Sequence, residues 1–238
     1  MIYSWELSEW PNFVLDRDSF RDACTRYVER VNFLAGAVHG LADTPRLELI
    51  SYQMALEGSA SSRIEGLDIK VSDIKKSVAN NLRPDLGFRS VYDKRASNLA
   101  NIVTDNHLDF PSPLTEAKLF DWHRQLVAHR SDLKQVGAYR NSTQNMQIVS
   151  GPIGRETVHY VAPPAKLVAQ KMKRYLRWFN QSRTEMGASL DGPVRAGIAH
   201  LYFELIHPFE DGNGRIGRVI AEKALAQNLT YPLPFSIS

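Results

Sequence analysis

Apolar residues recur at three- and four-residue spacing along most of this chain, and strict alternation is confined to one stretch. Between 17 and 41, Phe20, Cys24, Tyr27, Val28, Val31, Leu34 and Val38 mark one face of an amphipathic helix. A second helix is expected after Thr44-Pro45, through Leu47, Ile50, Met54 and Ala55 towards Ser61, with further helices over Val71–Asn81 and Ser90–Asp105. Thr115-Glu116 opens another, Ala117–Val127, whose stripe is Leu119, Trp122 and Leu126. After Pro163-Pro164 the helical pattern returns, with Leu167, Met172, Tyr175, Leu176 and Phe179 as its buried positions. Only Met146, Ile148, Val158 and Tyr160 alternate with polar residues, on either side of Ser150-Gly151-Pro152-Ile153-Gly154, which predicts a β-hairpin. The expected fold class is mainly α with one hairpin. The Arg83-Pro84-Asp85 turn suggests dividing it into an N-terminal helical region, 1–88, and a core, 89–238.

Composition narrows the function by exclusion. The 238 residues are 43% hydrophobic and 23% charged, as in an ordinary globular protein, and the net charge is only +3 with no long Lys/Arg run. Nucleic-acid binding therefore has no support. No apolar run approaches the roughly 20 residues that span a bilayer, and a start containing Trp5, Glu6, Glu9 and Trp10 lacks the order of a signal peptide. One cysteine, Cys24, can form no internal disulfide. A cytoplasmic protein with no membrane partner is expected.

The chemistry concentrates in His207-Pro208-Phe209-Glu210-Asp211-Gly212-Asn213-Gly214-Arg215-Ile216-Gly217-Arg218. An apolar stretch, Val194–Ile206, leads in and a helix-forming stretch, Val219–Gln227, leads out. A helix beginning near Gly214 would direct the Gly212-Asn213-Gly214 amides outward at its positive end, where phosphate binds well. Arg215 and Arg218 lie three apart and can grip one polyphosphate from two heights. His207 carries an imidazole of ordinary pKa about 6.5, suited to accepting a proton near neutral pH. Asp211 offers a hard oxygen ligand for the Mg²⁺ that travels with a nucleotide polyphosphate, and the Asn213 amide can donate to a phosphoryl oxygen. Phe209 reads as a core anchor, Pro208 as a turn former and Glu210 as a solvated face. His39, His107, His123, His129 and His200 read as structural.

This segment resembles the signature of the Fic family, His-x-Phe-x-Asp/Glu-Gly-Asn-Gly-Arg-x-x-Arg, at every constrained position. Leu126 with Gly137-Ala138-Tyr139-Arg140 is similar to the stretch before the family's hairpin flap, and 145–161 to the flap itself. Tyr3-Ser4-Trp5-Glu6 to Trp10-Pro11-Phe13 resembles the extension of one bacterial branch. The resemblance implies a Fic-like helical core and transfer of AMP from ATP to a Ser, Thr or Tyr hydroxyl of a target protein. His207 would then be the general base, Asp211 the Mg²⁺ ligand, and Gly212, Asn213, Gly214, Arg215 and Arg218 the phosphate-binding residues. The target would lie along the hairpin by strand addition, and a homodimer is possible, as in relatives. Phosphotransferring relatives carry a lysine where this chain has Gly214, so glycine favours nucleotidyl transfer. Relatives usually continue past the motif helix, so truncation at the C-terminus is expected.

A second segment, Ser61-Ser62-Arg63-Ile64-Glu65-Gly66, reads locally as a helix end with Gly66 as left-handed cap. Ser61 and Glu65 share a face. It also resembles the family's Ser/Thr-x-x-x-Glu-Gly/Asn inhibitory motif, which implies that Glu65 pairs with Arg218 and excludes the productive ATP pose. The alternatives are transfer of another phosphate-containing group, removal of AMP with Glu65 positioning water, and a non-catalytic nucleotide-binding module.

Overall fold

The computed structural model describes residues 2–13, 15–86, 91–142, 146–150, 155, 157–185 and 192–232. The helices are α1 (Arg17–His39), α2 (Asp43–Ile64), α3 (Val71–Leu82), α4 (Lys94–Leu108), α5 (Glu116–Leu126), α6 (Ala165–Glu185), α7 (Gly192–Ile206) and α8 (Asn213–Leu229). One antiparallel hairpin, β1 (Gln147–Ser150) and β2 (Thr157–Val161), lies between α5 and α6. The mainly-α fold class holds. Boundaries moved where caps decide them. Helix α4 starts at Lys94 because the Asp93 side chain accepts from the Arg95 amide (2.9 Å), and α2 continues three residues past Ser61.

Helix α7 is apolar nearly all round, which marks a central helix. Ala196, Ala199, Tyr202, Phe203 and Ile206 are buried on it, against Ile216, Ile220, Ala224 and Leu225 of α8. Helices α2, α3 and α4 pack beside this pair through Met54, Ala55, Ile74, Val78 and Leu99. Gly58 lets α2 approach α4 closely, since a Cβ there would come within 3.0 Å of Leu99 Cδ2. Arg195 is wholly buried within α7. Its guanidinium donates to the carbonyls of Phe179 and Ala224 and to the side chains of Ser182, Gln227 and Asn228. It thereby ties α6, α7 and α8 through acceptors that, among the described residues, are all neutral.

The N-terminal segment straps the hairpin to this core. Trp10 is buried edge-on against Tyr202 (4.8 Å between centroids), and Lys171 lies over the Trp10 and Trp5 rings (4.4 and 5.4 Å). Trp5 Nε1 donates to the Val161 carbonyl (2.7 Å), and the Tyr160 hydroxyl donates to Leu205 O at the end of α7 (2.6 Å). Both bonds hold β2. The pairing slips by one residue between Ile148 and Val149, a bulge that skips His159 in the register, while its Nε2 hydrogen-bonds the Ser150 hydroxyl across the hairpin (2.5 Å). The expected turn at Gly151–Gly154, and Asn145, lie outside the described residues, as does the 88/89 division.

Candidate active site

Helix α7 ends at Ile206, and His207 follows at φ 49°, a left-handed backbone that costs a non-glycine residue about 1–2 kcal/mol. Neighbouring contacts hold the chain there. Arg140, only 3% exposed, donates Nε to His207 O (2.7 Å) and Nη2 to Pro163 O (2.6 Å) and Ile206 O (3.3 Å), while its amide donates to Pro208 O (2.9 Å). Phe209 is fully buried and stacks on His123 at 4.2 Å and 7°. The Asn213 side chain closes the loop: its Oδ1 accepts from Phe209 N and its Nδ2 donates to Phe209 O, both at 2.9 Å. At 2% exposure this amide is not a free donor towards the loop's outer side. It shapes the loop from within.

His123 accepts from Gly137 N at Nδ1 (2.9 Å), and burial pushes its pKa down to about 4, so it is a neutral structural imidazole. Glu210 is not simply solvated, because its Oε2 accepts from the amides of Lys134 (2.8 Å) and Gln135 (3.3 Å) and fastens the preceding loop.

Asp211 takes the Gly212 amide at Oδ1 (2.6 Å) and Arg130 Nη1 at Oδ2 (2.5 Å). Asp132 grips the same guanidinium through Nε (2.7 Å) and Nη2 (2.6 Å), and Arg130 in turn holds the Asp132 carboxyl down to about 2. Sequence reading missed Arg130, since nothing in the spacing of residues 81 apart announces the contact. Among the described residues no group of three or more His, Cys, Asp or Glu could hold a metal. The donor set therefore fits Mg²⁺ as one carboxylate completed by waters and phosphates, in competition with Arg130.

Helix α8 begins at Asn213, with Gly212 as N-cap at φ 81°. Gly212 is needed twice over, because a Cβ would also approach Leu126 Cδ2 to 2.9 Å. The space in front of Gly214 is taken by Glu65: a Cβ there would lie 2.2 Å from Glu65 Oε1. Glu65 is the C-cap of α2, and Gly66 follows at φ 75°. The helix-end reading of this segment thus holds while its carboxylate reaches α8. Arg218 donates Nη2 to Glu65 Oε1 (2.7 Å) and to Ser61 O (2.9 Å), and Nε to Ser61 Oγ (2.7 Å). A cation is doubly favoured here, by the carboxylate and by the carbonyl end of α2.

The two arginines diverge rather than share one anion. Arg215 is 4% exposed and turns towards Asp211 (Nη2 to Oδ1, 3.5 Å); its Nε has no partner among the described residues, and burial lowers its pKa. The structure brings Ser61, Glu65, Gly214 and Arg218 together in one contact, and Asp211 and Arg215 in a second beside it.

The profile of the Fic/DOC family matches residues 113–225, which contain the hairpin, α7 and the whole motif. Residues 113–225 are thus a Fic/DOC family domain. Residues 3–83 match a domain of unknown function, DUF4172, which covers the strap, α1, α2 and the Ser61–Gly66 segment. Over 66 residues, 28% of this chain and 19% of the relative, the Fic chain is 35% identical to a probable protein adenylyltransferase of Aquifex aeolicus. It is 29% identical over 119 residues, 50% of this chain and 21% of the relative, to the protein adenylyltransferase Fic of Drosophila ananassae. These matches span about a fifth of the curated relatives' length. A Fic family protein from Desulfovibrio desulfuricans shares the fold, with a TM-score of 0.56 at 24% identity, over 91% of this chain and 59% of that one. No helix among the described residues is long and apolar enough to cross a membrane.

Proposed function

We propose that this Fic protein is an auto-inhibited protein adenylyltransferase, acting on a Ser, Thr or Tyr hydroxyl of a target protein in the cytoplasm. One observation carries the reading. The mouth of the α8 N-terminus holds an anion, the Glu65 carboxylate, bonded to the arginine that ends the motif. A site that accepts this carboxylate is built for an anionic group, and a phosphate arriving there must displace it.

With Glu65 withdrawn, Arg218 is released to a terminal phosphate of ATP and the Gly214 amide to the phosphoryl oxygens, while the Gly212 amide stays on Asp211. His207 takes the proton from the target hydroxyl as its oxygen bonds to the α-phosphorus. The bond from that phosphorus to the bridging oxygen breaks, and pyrophosphate leaves. Asp211 would hold Mg²⁺, whose contribution is to neutralise polyphosphate charge. Such chemistry depends on positioning and electrostatic stabilisation, which is what the Arg140, Phe209 and Asn213 contacts supply to the loop. The hairpin of β1 and β2 offers a strand edge for the target segment. Gly214 supports nucleotidyl transfer, because any side chain there would fill the space that Glu65 or a phosphate must occupy.

The test uses the full chain with ATP labelled at the α- or the γ-phosphate. Glu65→Gly should raise incorporation of the α-label, and adding His207→Ala should abolish it. Incorporation of the γ-label, or transfer that persists without His207, would refute the assignment.

A further inference from the structure

Glu204 stands one turn before His207 on α7, and its Oε2 lies 3.6 Å from His207 Nδ1. Its other oxygen, Oε1, is buried and has no hydrogen-bond partner among the described residues. The side chain is 26% exposed, so this is not a carboxylate left in bulk water. Space for it is made by the neighbouring helix: a Cβ on Gly217 of α8 would come within 2.8 Å of Glu204 Oε1. Neither Glu204 nor Gly217 is a constrained position of the signature. His200, one turn earlier on α7, is a titratable neighbour of Glu204 and also feels Arg218. Burial pushes the His200 imidazole below its ordinary pKa, Glu204 raises it and Arg218 lowers it further.

A buried, unpartnered carboxylate oxygen is costly unless the group meets a donor. Protonated at Nδ1, His207 would supply that donor, to the other oxygen of the same carboxylate. At 3.6 Å the contact is longer than a hydrogen bond, yet catalytic hydrogen bonds commonly tighten only once substrate is bound.

We propose that Glu204 is a positioning residue for His207, accepting the Nδ1–H and so leaving Nε2 as the nitrogen that receives the proton. The inference rests on the base role given above to His207. As the target oxygen bonds to the α-phosphorus, its proton passes to Nε2 and the pyrophosphate oxygen departs with the electron pair. The imidazole then carries protons on both nitrogens, and the Glu204 carboxylate stabilises that cation without itself taking a proton.

The decisive experiment reads the tautomer directly, apart from any activity. The full chain is labelled with ¹⁵N-histidine, and the His207 signals are assigned by their loss in His207→Ala. Spectra are compared near pH 8, above the ordinary histidine pKa of about 6.5. Unmodified protein and Glu204→Gln should show His207 protonated at Nδ1, because glutamine keeps an acceptor; Glu204→Leu should shift the population to the Nε2–H form. In a Glu65→Gly background, Glu204→Gln should lower kcat by about 10–100-fold, the range for a group that orients a functional histidine, with KM for ATP unchanged. Retention of the Nδ1–H form in a folded Glu204→Leu variant would overturn the proposal. So would a KM effect with kcat intact. If the Glu65→Gly parent transfers no AMP, the adenylyltransferase reading fails, and the tautomer still decides the role of Glu204.

Discussion

Replacing Glu65 should tighten ATP binding and loosen the fold at once. The carboxylate makes one charge-assisted bond, to Arg218 Nη2 at 2.7 Å, where the Arg218 side chain is 13% exposed and that of Glu65 35%. Hydrogen bonds to charged groups contribute about 1.5–3 kcal/mol when well shielded, and solvent access to Glu65 reduces this to about 1–2 kcal/mol. On the proposed function, ATP must displace Glu65 before its terminal phosphate reaches Arg218, so that free energy should appear as a weakened apparent affinity. At 1.4 kcal/mol per tenfold, Glu65→Gly should lower the Kd of Mg-ATP by about 5–30-fold. The same lost contact should lower Tm by about 2–8 °C without nucleotide, at 2–4 °C per kcal/mol for a chain of this length. Glycine also adds backbone freedom, at about 0.5–1 kcal/mol, which affects Tm but not the competition. Glu65→Gln separates the two, because it keeps the backbone and loses the charge, and its Kd should fall between the others. Calorimetric titration of Mg-ATP into the three proteins, with parallel thermal melts, makes the measurement. Equal affinities, whatever the melting temperatures, would reduce Glu65 to a helix cap.

Ser61→Ala removes one of the three acceptors around Arg218 and leaves the carbonyl and Glu65, so Mg-ATP should bind about two- to tenfold tighter by the same titration. Arg140→Met leaves the carbonyls of Ile206, His207 and Pro163 short of their buried donor. It should cost about 3–5 kcal/mol and lower Tm by about 6–20 °C, with the loss of transfer exceeding that of Mg-ATP binding because the histidine turn is what it clamps. Trp5→Ala removes the donor to Val161 O, and amide exchange across Thr157–Val161 should accelerate about tenfold by mass spectrometry. Burial, aided by repulsion from Glu57, pushes the Glu222 pKa up to about 8, from an ordinary value near 4.3. The folded protein therefore holds this proton more tightly than the unfolded chain between those values, and stability should fall as pH rises from about 5 to 8. Glu222→Gln should flatten that decline in melts across the range; an unchanged slope would place its origin elsewhere.

What the sequence disclosed follows how each group is used. Helix periodicity located α1 to α6, whereas α7, apolar nearly all round, was legible only as an apolar stretch, and Phe209 was readable as an anchor because a ring inside a polar loop has few other uses. Glu65 and Ser61 were readable because four-residue spacing on a helix fixes a shared face, and a carboxylate at a helix C-terminus calls for a cation. Asn213 shows the limit. A motif records that a residue type is required and not which way it faces, and here the amide is turned inwards onto Phe209. Arg130 and Arg195 were illegible for a different reason, since their partners are carbonyls, amides and carboxylates brought in from distant elements. Long-range polar contacts have no period. A charged residue whose partners are absent from its own helix looks like surface until the packing is known. Glu204 belongs to the same class: its one-turn spacing from His207 is visible in the chain, but the room that Gly217 leaves for its carboxylate exists only once α7 and α8 are packed. Signature positions therefore locate the chemistry. Beside the signature's own Phe209 and Asn213, the residues that hold the proposed base, metal ligand and phosphate arginine are Arg140, Arg130, Ser61 and Glu65, all outside the signature.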